Sequence, residues 1–519
     1  TALTVDGRRY PVRYKVINAN SLRIDTQDTA RIKLTVIPGP DPEDGWWYKF
    51  GQHATRIAMS VRNFSFTYKN TYAMTLPGFR PEVGDMFGQK KHGGFLAPGM
   101  DFAFGFTGDD YIDRALQNDW LICNDSVVSP ASSNALEDLQ LRISLEPIRD
   151  LKIDLTANRT RNRSREIQYM FEGMPDTRSG NFSMSIISIG SAFERPSAGD
   201  GYHSGTFERF RRNLDVIRDR VESQFLGAQY PQGSTLAGKA FDPANGTISK
   251  HSPDVMIPAF LAAYTGKSAR NSALDFFPSL FSMMPNWRIT YTGLTKIAWF
   301  KKNFRSVNLN HAYRSTYSVG SYNTFQSFMS YMGDIGFVED VQSGNPIPSS
   351  RFDISMVSIN EQFSPLIGMD ATLKNGLTAK VEYKTSRILN LSMSACQLVE
   401  TASRDFVIGL GYKIVNFNLF SARNVKDSKN RVSHDLALRA DISFRNQSAL
   451  CRDIQQGFAQ ATNGNKALKI SCSADYTLSR LLTLRLYYDR QQNTPLVSSS
   501  SYPVVSADFG FSMKFSLTR

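Results

Sequence analysis

Histidine and cysteine are the side chains best suited to bind a metal or to act as nucleophiles. In this chain they are dispersed: His53, His92, His203, His251, His311 and His434, with Cys123, Cys396, Cys451 and Cys472. No pair has the spacing of a metal site, and the sequence contains no CxxC, GxSxG, HExxH, Walker or EF-hand motif. We therefore predict no enzymatic activity, no catalytic residue, no metal site and no cofactor.

Two further features allow a chemical and a structural interpretation. Gly409 and Gly411 form a GxG within a predicted strand, which favours strand curvature or close packing over phosphate binding. An oxidising compartment would permit a Cys451–Cys472 bridge across a hairpin. Cys396 and Cys472 are predicted to be small residues within strands, however, which favours free thiols.

The formal net charge of +13 indicates a basic surface. The only dense basic cluster is Arg159, Arg161, Arg163 and Arg165, at the end of a predicted strand, which is typical of a charged rim or loop. The other basic residues are scattered, and no nucleic-acid-binding motif is present. We predict a solvated basic surface and no nucleic-acid partner.

Alternation of apolar and polar residues dominates the chain and predicts β-strands with two different faces. The clearest runs are 139–145, 151–157, 377–383, 389–395, 406–414, 436–444, 468–478, 482–488 and 504–517. Mid-strand charges fall on the polar face, and a one-residue slip would turn each of them to the apolar side. Several runs reach the roughly 9–11 residues with which a tilted strand crosses a bilayer. No apolar run is long enough for a transmembrane helix.

The alternation predicts which side chains would meet lipid and which would line a pore. The predicted lipid-facing residues are Phe509, Phe511, Met513, Phe515, Leu438 and Ile442. The predicted lumen-facing residues are Asp508, Lys514, Arg439, Asp441, Asp475 and Lys380. A soluble sandwich or β-helix would show the same alternation. Long runs, few helices and aromatic residues near strand ends favour a barrel; those residues are Tyr313, Tyr317, Tyr383, Tyr412, Tyr476 and Tyr488.

Residues 195–285 interrupt the strand pattern. Apolar residues at helical spacing predict one amphipathic helix near 206–226. The rest of the segment, rich in Gly, Pro and Ser, is predicted to be a long loop or cap. Beyond it, Trp299 and Phe300 lie beside Lys301 and Lys302. This combination is typical of a membrane interface or of a buried aromatic cluster next to a surface turn.

Several long blocks resemble the SprA/Sov family, the outer-membrane translocon of the type IX secretion system in Bacteroidota. They include RNFSFTYKNTYAMTLPGFRPEVGDMFGQ (62–89), APGMDFAFGF (97–106), NWRITYTGL (286–294), FVIGLGYKI (406–414) and the closing segment 473–519. The blocks occur in order from about Arg56 onward, more weakly in 195–285. Because family members are several times longer, we expect this chain to be the C-terminal part of the barrel, whether as a fragment, a cleavage product or a separate gene product.

The resemblance implies an all-β fold, the C-terminal portion of a very large transmembrane antiparallel β-barrel with an inserted cap. The largest known barrels have about 36 strands. On this division, residues 1–55 are an N-terminal segment with strands of the same barrel, and 56–194 are barrel strands and loops. Residues 195–285 are the insertion, and 286–519 are the C-terminal barrel strands.

The function implied is a protein-conducting channel that exports folded cargo across the bacterial outer membrane, in a system linked to gliding motility. The implied partners are the remainder of the barrel polypeptide, a PorV-like shuttle barrel, a plug protein, a periplasmic prolyl isomerase, secreted cargo proteins and outer-membrane lipid. The family offers no catalytic residues. An outer-membrane porin or nutrient transporter and a soluble β-rich adhesion or binding protein are the alternatives.

Overall fold

The computed structural model describes residues 2–4, 9–10, 13–18, 21–25, 32–34 and 59–516, the last range with gaps at 83, 85–86, 93, 109, 125–128, 169–175, 416, 418–434, 479–481 and 498–501. The chain forms two compact units, Thr1–Val61 and Arg62–Arg519.

The first unit contains short strands: β1 (Ala2–Thr4), β2 (Arg9–Tyr10), β3 (Arg13–Asn18), β4 (Ser21–Asp25) and β5 (Ile32–Leu34). β1 pairs with β2 and β5, and β3 pairs with β4, all antiparallel. In the part of this unit that the structure describes, these strands pair only with one another. No described pairing supports the expectation that residues 1–55 add strands to the large sheet, and the boundary placed near residue 55 lies outside the described residues.

The second unit is dominated by one antiparallel sheet of 14 strands. Its strands are β6 (Val61–Thr75), β9 (Ala131–Ile148), β10 (Leu151–Ile167), β11 (Asp176–Ser185), β12 (Asn286–Tyr291), β13 (Phe304–Thr324), β17 (Phe352–Ile354), β18 (Met356–Leu373), β19 (Leu377–Ser392), β20 (Gln397–Ile414), β21 (Leu436–Asp453), β22 (Ala459–Thr477), β23 (Leu482–Pro495) and β24 (Val504–Phe515). The order is β24-β23-β22-β21-β20-β19-β18-β13-β11-β10-β9-β6, with β12 between β10 and β13 and β17 beside β13. The predicted all-β class is confirmed at this level.

The second unit also contains smaller elements. They are β7 (Lys90–His92), β8 (Phe95–Ala97), β14 (Met329–Met332), β15 (Ile335–Glu339), β16 (Pro346–Ser350), and the helices α1 (Met100–Ala103), α2 (Asp110–Gln117), α3 (Gly205–Ser223), α4 (Pro253–Thr265) and α5 (Ala298–Asn303). A minor core around Tyr111 and Trp120 holds α2 against the start of β9 and the end of β10.

The strands are much longer than the alternating runs that predict them. β13 has 21 residues and β22 has 19, against about 5–6 for ordinary strands. The runs 377–383 and 389–395 form one strand, β19, because the polar residues between them continue the pleat. The four arginines lie in the second half of β10, near the end of a strand as predicted, so the loop interpretation is wrong. The hairpin turns use a positive φ at Asp150 (70°) and Gly376 (89°).

β11 and β12 occupy one strand position between β10 and β13. β11 pairs with residues 159–167 of β10, and β12 pairs with residues 151–156 of the same strand. Residues 186–285, which we call the cap, therefore leave the sheet through a break halfway along this strand position.

The cap has its own apolar core, which is continuous with the sheet beneath it. The predicted helix near 206–226 is confirmed as α3, where the Ser204 hydroxyl accepts a hydrogen bond from the Phe207 amide at the N-terminus. Phe210 of α3 packs edge-on against Phe260 of α4. The sequence analysis missed α4, because this helix is buried on nearly all sides and lacks the apolar stripe of a surface helix.

Candidate functional site

One face of the sheet carries a continuous band of exposed apolar side chains, which we call the belt. Strand register aligns two complete rows from β19 to β24: Leu377, Tyr412, Leu438, Ala474, Leu486 and Phe511; and Ala379, Leu410, Ala440, Cys472, Tyr488 and Phe509. A third row, Val381, Ile408, Ile442 and Ile470, is apolar from β19 to β22 and is followed on β23 by the exposed Arg490. Phe509 and Phe511 are 72% and 60% exposed. Along β21 the band runs from Leu436 to Phe444, close to the roughly 9–11 residues of a bilayer-crossing strand.

The opposite face of strands β19 to β24, beside the belt rows, carries charged and hydroxyl side chains; we call it the polar wall. One row contains Lys380, Gly409, Asp441, Ser471, Asp489 and Asp508. Several opposite charges pair: Lys380 and Lys384 with Glu382 at 3.0 and 2.9 Å, Arg445 with Asp405 at 2.9 Å, and Arg485 with Asp475 at 3.6 Å. The wall is therefore highly polar without a single dominant sign.

The register separates the two predicted sets of residues onto opposite faces. Phe509, Phe511, Met513, Phe515, Leu438 and Ile442 all lie on the belt face, and Asp508, Lys514, Arg439, Asp441, Asp475 and Lys380 all lie on the polar wall. The medium that meets each face stays a prediction, to which we return below.

The GxG of β20 has a packing role on the polar wall. A Cβ at Gly409 would lie 2.5 Å from Asp441 Oδ1, and one at Gly411 would lie 2.6 Å from Thr378 Oγ1. Side chains of the neighbouring strands thus occupy the space that these glycines leave. The close-packing interpretation is confirmed.

An aromatic cluster borders the end of the belt that lies away from the cap. Trp299 of α5 contacts Phe300 and Phe304, with ring centroids 4.8 and 5.8 Å apart. Trp299 is 61% exposed, and Lys301 beside it is also exposed. The sequence left open an exposed interface or a buried aromatic cluster, and the exposure of Trp299 and Lys301 agrees better with the first.

The cap covers the other half of the same face. Along β19 the side chains of Tyr383, Leu389 and Leu391 point to one side, and the two leucines are buried in the core that the cap shares with the sheet. Tyr317 of β13 is buried in the same core, and Tyr313 is buried at the start of the cap, where its hydroxyl accepts a hydrogen bond from the Ser188 amide. Their predicted place in an exposed aromatic girdle is wrong, because the cap covers their end of the strand.

A buried ion pair joins the sheet to the start of the cap. Arg387 of β19 contacts Glu361 of β18 at 2.7 Å, and the same guanidinium donates to the Ser191 carbonyl oxygen at 2.7 Å. Glu361 also accepts hydrogen bonds from Ser188 Oγ at 2.7 Å and Tyr313 Oη at 2.8 Å. Each charge therefore has several partners, which a buried ion pair needs to offset the loss of hydration.

A second pair repeats this arrangement two strands away. Arg452 of β21 contacts Glu400 of β20 at 3.1 Å and donates to the Tyr202 carbonyl oxygen at 2.6 Å. Its guanidinium also lies 5.5 Å from the ring centroid of Phe207. In both pairs an arginine on the sheet reaches a backbone oxygen of the cap. The sequence analysis missed all four residues, although charged residues on an otherwise apolar face were a signal for them.

Two carboxylates inside the cap have shifted pKa values. Burial would raise the pKa of Glu194, but hydrogen bonds from Ser204 and Thr206 hold it below its ordinary value of 4.5. These bonds measure 2.5 Å from Ser204 Oγ and 2.6 Å from Thr206 Oγ1, and fix the start of α3. Burial raises the pKa of Asp254 above 3.8, despite a 3.2 Å hydrogen bond from the Ser350 amide.

No arrangement of reactive side chains accompanies these faces in the described ranges. His311 Nδ1 makes a 2.7 Å hydrogen bond with the Leu366 carbonyl oxygen, the structural role expected of it. All four cysteines are free, and Cys451 and Cys472 lie on opposite faces of the sheet, out of bonding reach. Cys396 lies in the turn between β19 and β20, not within a strand as predicted. Among the described residues, no group of three or more His, Cys, Asp or Glu side chains is close enough together to bind a metal ion.

Comparison with known proteins gives no assignment: no protein-family model and no curated protein matches the chain. Within the part of the chain that the structure describes, no helix is both long and apolar enough to span a membrane.

Proposed function

We propose that this chain is the C-terminal part of a large β-barrel in the bacterial outer membrane, and that the barrel conducts folded proteins. The observation that carries the proposal is the belt: exposed apolar side chains on neighbouring strands, extending over residues 436–444 of β21 and backed by a charged wall. Exposed apolar patches of this extent are rare on soluble proteins and mark membrane or protein contacts. In hydrocarbon, a closed barrel is the only sheet arrangement that satisfies every backbone group.

The polar wall favours a wide protein channel over an ion-selective pore. Selective pores are lined by rings of one charge sign, whereas Glu382, Asp405 and Asp475 here are each paired with a lysine or arginine. Such a surface stays hydrated and offers cargo few apolar contacts. The sheet already has 14 strands, and barrels of about 16–18 strands are wide enough to leave an aqueous channel.

The cap faces the cell exterior in this proposal. Outer-membrane barrels have short periplasmic turns and longer extracellular loops. At the belt end, β9 meets β10 across residues 149–150 and β18 meets β19 across 374–376, while the longest connection between two sheet strands there is 415–435, between β20 and β21. The insertions 186–285 and 325–355 both lie at the cap end. The Trp299 edge then meets the periplasmic membrane interface.

Fractionation of the native protein tests this proposal. We expect the chain in the outer membrane, extracted only by detergent, together with the remainder of the barrel polypeptide and with a PorV-like shuttle barrel, a plug protein or cargo. A chain recovered alone in detergent would favour a porin or nutrient transporter. Recovery in buffer without detergent would refute the membrane assignment and favour a soluble adhesion protein.

A further inference from the structure

The segment between α4 and β12 ends in a short exposed turn, residues 279–284, which we call the foot. The turn is ordered by hydrogen bonds from the Ser282 amide to the Ser279 carbonyl oxygen (2.9 Å) and from the Met283 amide to that of Leu280 (3.1 Å). Met283 packs against the cap core. The Met284 amide donates to the Ser185 carbonyl oxygen at 3.1 Å. These anchors fix the foot against the end of β11.

With Met283 turned inward, Leu280 and Phe281 point away from the core. Phe281 is 96% exposed and Leu280 is 44% exposed. A single exposed phenylalanine needs no explanation on a soluble surface. The position of Phe281 in the fold is therefore what suggests a binding role.

The foot lies where the cap leaves the sheet, at a strand position that β13 and β18 separate from β19, the first strand of the belt. Ser185 ends β11 and Asn286 begins β12, so the foot sits at the break halfway along their shared strand position. On the belt face of the sheet, Phe193 of the cap is exposed and packs against Phe363 of β18, with ring centroids 5.4 Å apart. The next belt-face residue of β18 toward the belt is Ile367, which is exposed. Exposed apolar side chains thus continue from the belt onto the underside of the cap.

A basic side chain accompanies the foot. Lys267 and Asp275, both exposed, line the same depression as Ser282 and Met284. A lysine beside exposed aromatic and aliphatic residues is the combination found at membrane interfaces, where the ammonium meets lipid phosphates.

We infer that Leu280 and Phe281 insert into the outer leaflet at the boundary between headgroups and acyl chains, so that the cap rests on the membrane beside the barrel. This inference rests on the proposed membrane function. It assigns the foot to lipid, because Leu280 and Phe281 are exposed where the cap leaves the sheet, and because the exposed Ile367 of β18 lies between this region and the belt. The contact would hold the cap at a fixed distance from the membrane, against the face of the sheet that carries the belt.

Photo-crosslinking of the complex that contains the full, unmodified chain tests the inference. Vesicles of phosphatidylethanolamine and phosphatidylglycerol would carry a diazirine near the headgroup in one sample and deep in the acyl chain in another. We expect mass spectrometry to find headgroup-region adducts on peptides with Leu280 and Phe281, and acyl-region adducts on the belt peptide with Phe511. Val341, which is 99% exposed on the β15–β16 turn, is the matched control and should carry none.

A second sample carries the substitutions Leu280→Ser and Phe281→Ser. We expect loss of adducts at the foot and unchanged labelling of the belt. Labelling of the belt without labelling of the foot in the unmodified chain would overturn the inference and leave the proposed function intact, and would point to a protein partner for the foot. A labelled foot beside an unlabelled belt would overturn the membrane-spanning function instead. Equal labelling of Val341 and the foot would also overturn the inference.

Discussion

Cys472 and Ser471 are adjacent and nearly equal in size, yet they point to opposite faces of β22. Cys472 lies between Ala440 and Tyr488 in the belt, whereas Ser471 lies between Asp441 and Asp489 on the polar wall. The sequence predicts this separation, because strand alternation is a local property and the charges mark one face. It cannot reveal which cross-strand neighbours each residue has, since those depend on the register of separate strands.

This pair allows a matched substitution test. Cys472→Arg should lower the free energy of unfolding by about 2–4 kcal/mol, the range for arginine at the bilayer midplane on the lipid face. Ser471→Arg adds the same side chain between two aspartates and should be nearly neutral. Denaturant unfolding of the reconstituted protein measures both variants. Equal losses would contradict the assignment of the two faces.

Asp254 gives a second prediction for a single side chain. Its folded pKa is raised by burial, so the folded cap binds this proton more tightly than the unfolded chain does. The contribution of Asp254 to stability is therefore present at low pH and is lost as the pH rises through the folded pKa. Asp254→Asn should remove that loss and make the cap more stable at neutral pH.

Hydrogen exchange of the α4 amides across a pH series would measure this effect. The comparison belongs above about pH 6, where Glu194, whose pKa is lowered in the folded chain, is ionised in both folded and unfolded states. A variant that is no more protected than the unmodified chain at neutral pH would show that the Asp254 carboxyl is not desolvated.

At the scale of elements, the alternating runs predicted where strands occur but not where they end. β19 continues through Lys384 and Arg387 because its neighbours on both sides extend equally far, and that is a tertiary property. The cap was predicted as an insertion with one helix, and α3 confirmed that helix. Its position on the apolar face could not be predicted, because it depends on contacts such as Arg387–Ser191 and Arg452–Tyr202 between distant parts of the chain.

These contacts predict how firmly the cap is held. Arg387→Met should cost about 3–5 kcal/mol, since it leaves Glu361 buried without its counter-ion. The added change Glu361→Gln should recover part of this loss. The exposed pair on the polar wall supplies the control, and Arg445→Met should cost no more than about 1 kcal/mol. Protease resistance of the cap under increasing denaturant reports the difference, and equal effects at the two sites would argue against a docking role for Arg387.

At the scale of the whole molecule, the belt, the polar wall and the cap suit a barrel whose strands cross the membrane at the belt end and project beyond it at the cap end. The resemblance of the sequence to a translocon supplied the proposed cargo and partners, and no feature of single residues could have done so. Mixed charge on the polar wall agrees with a passage for folded proteins, because it offers neither a selective ring nor an apolar surface for binding.

The most direct test of the central claim is to place a photo-crosslinking amino acid at Ser471 on the polar wall, and at Cys472 on the belt, in cells that export a cargo protein arrested in transit. The account predicts cargo adducts from position 471 and only lipid adducts from position 472. Cargo adducts from neither position, with export unaffected by loss of the chain, would contradict a protein-conducting role.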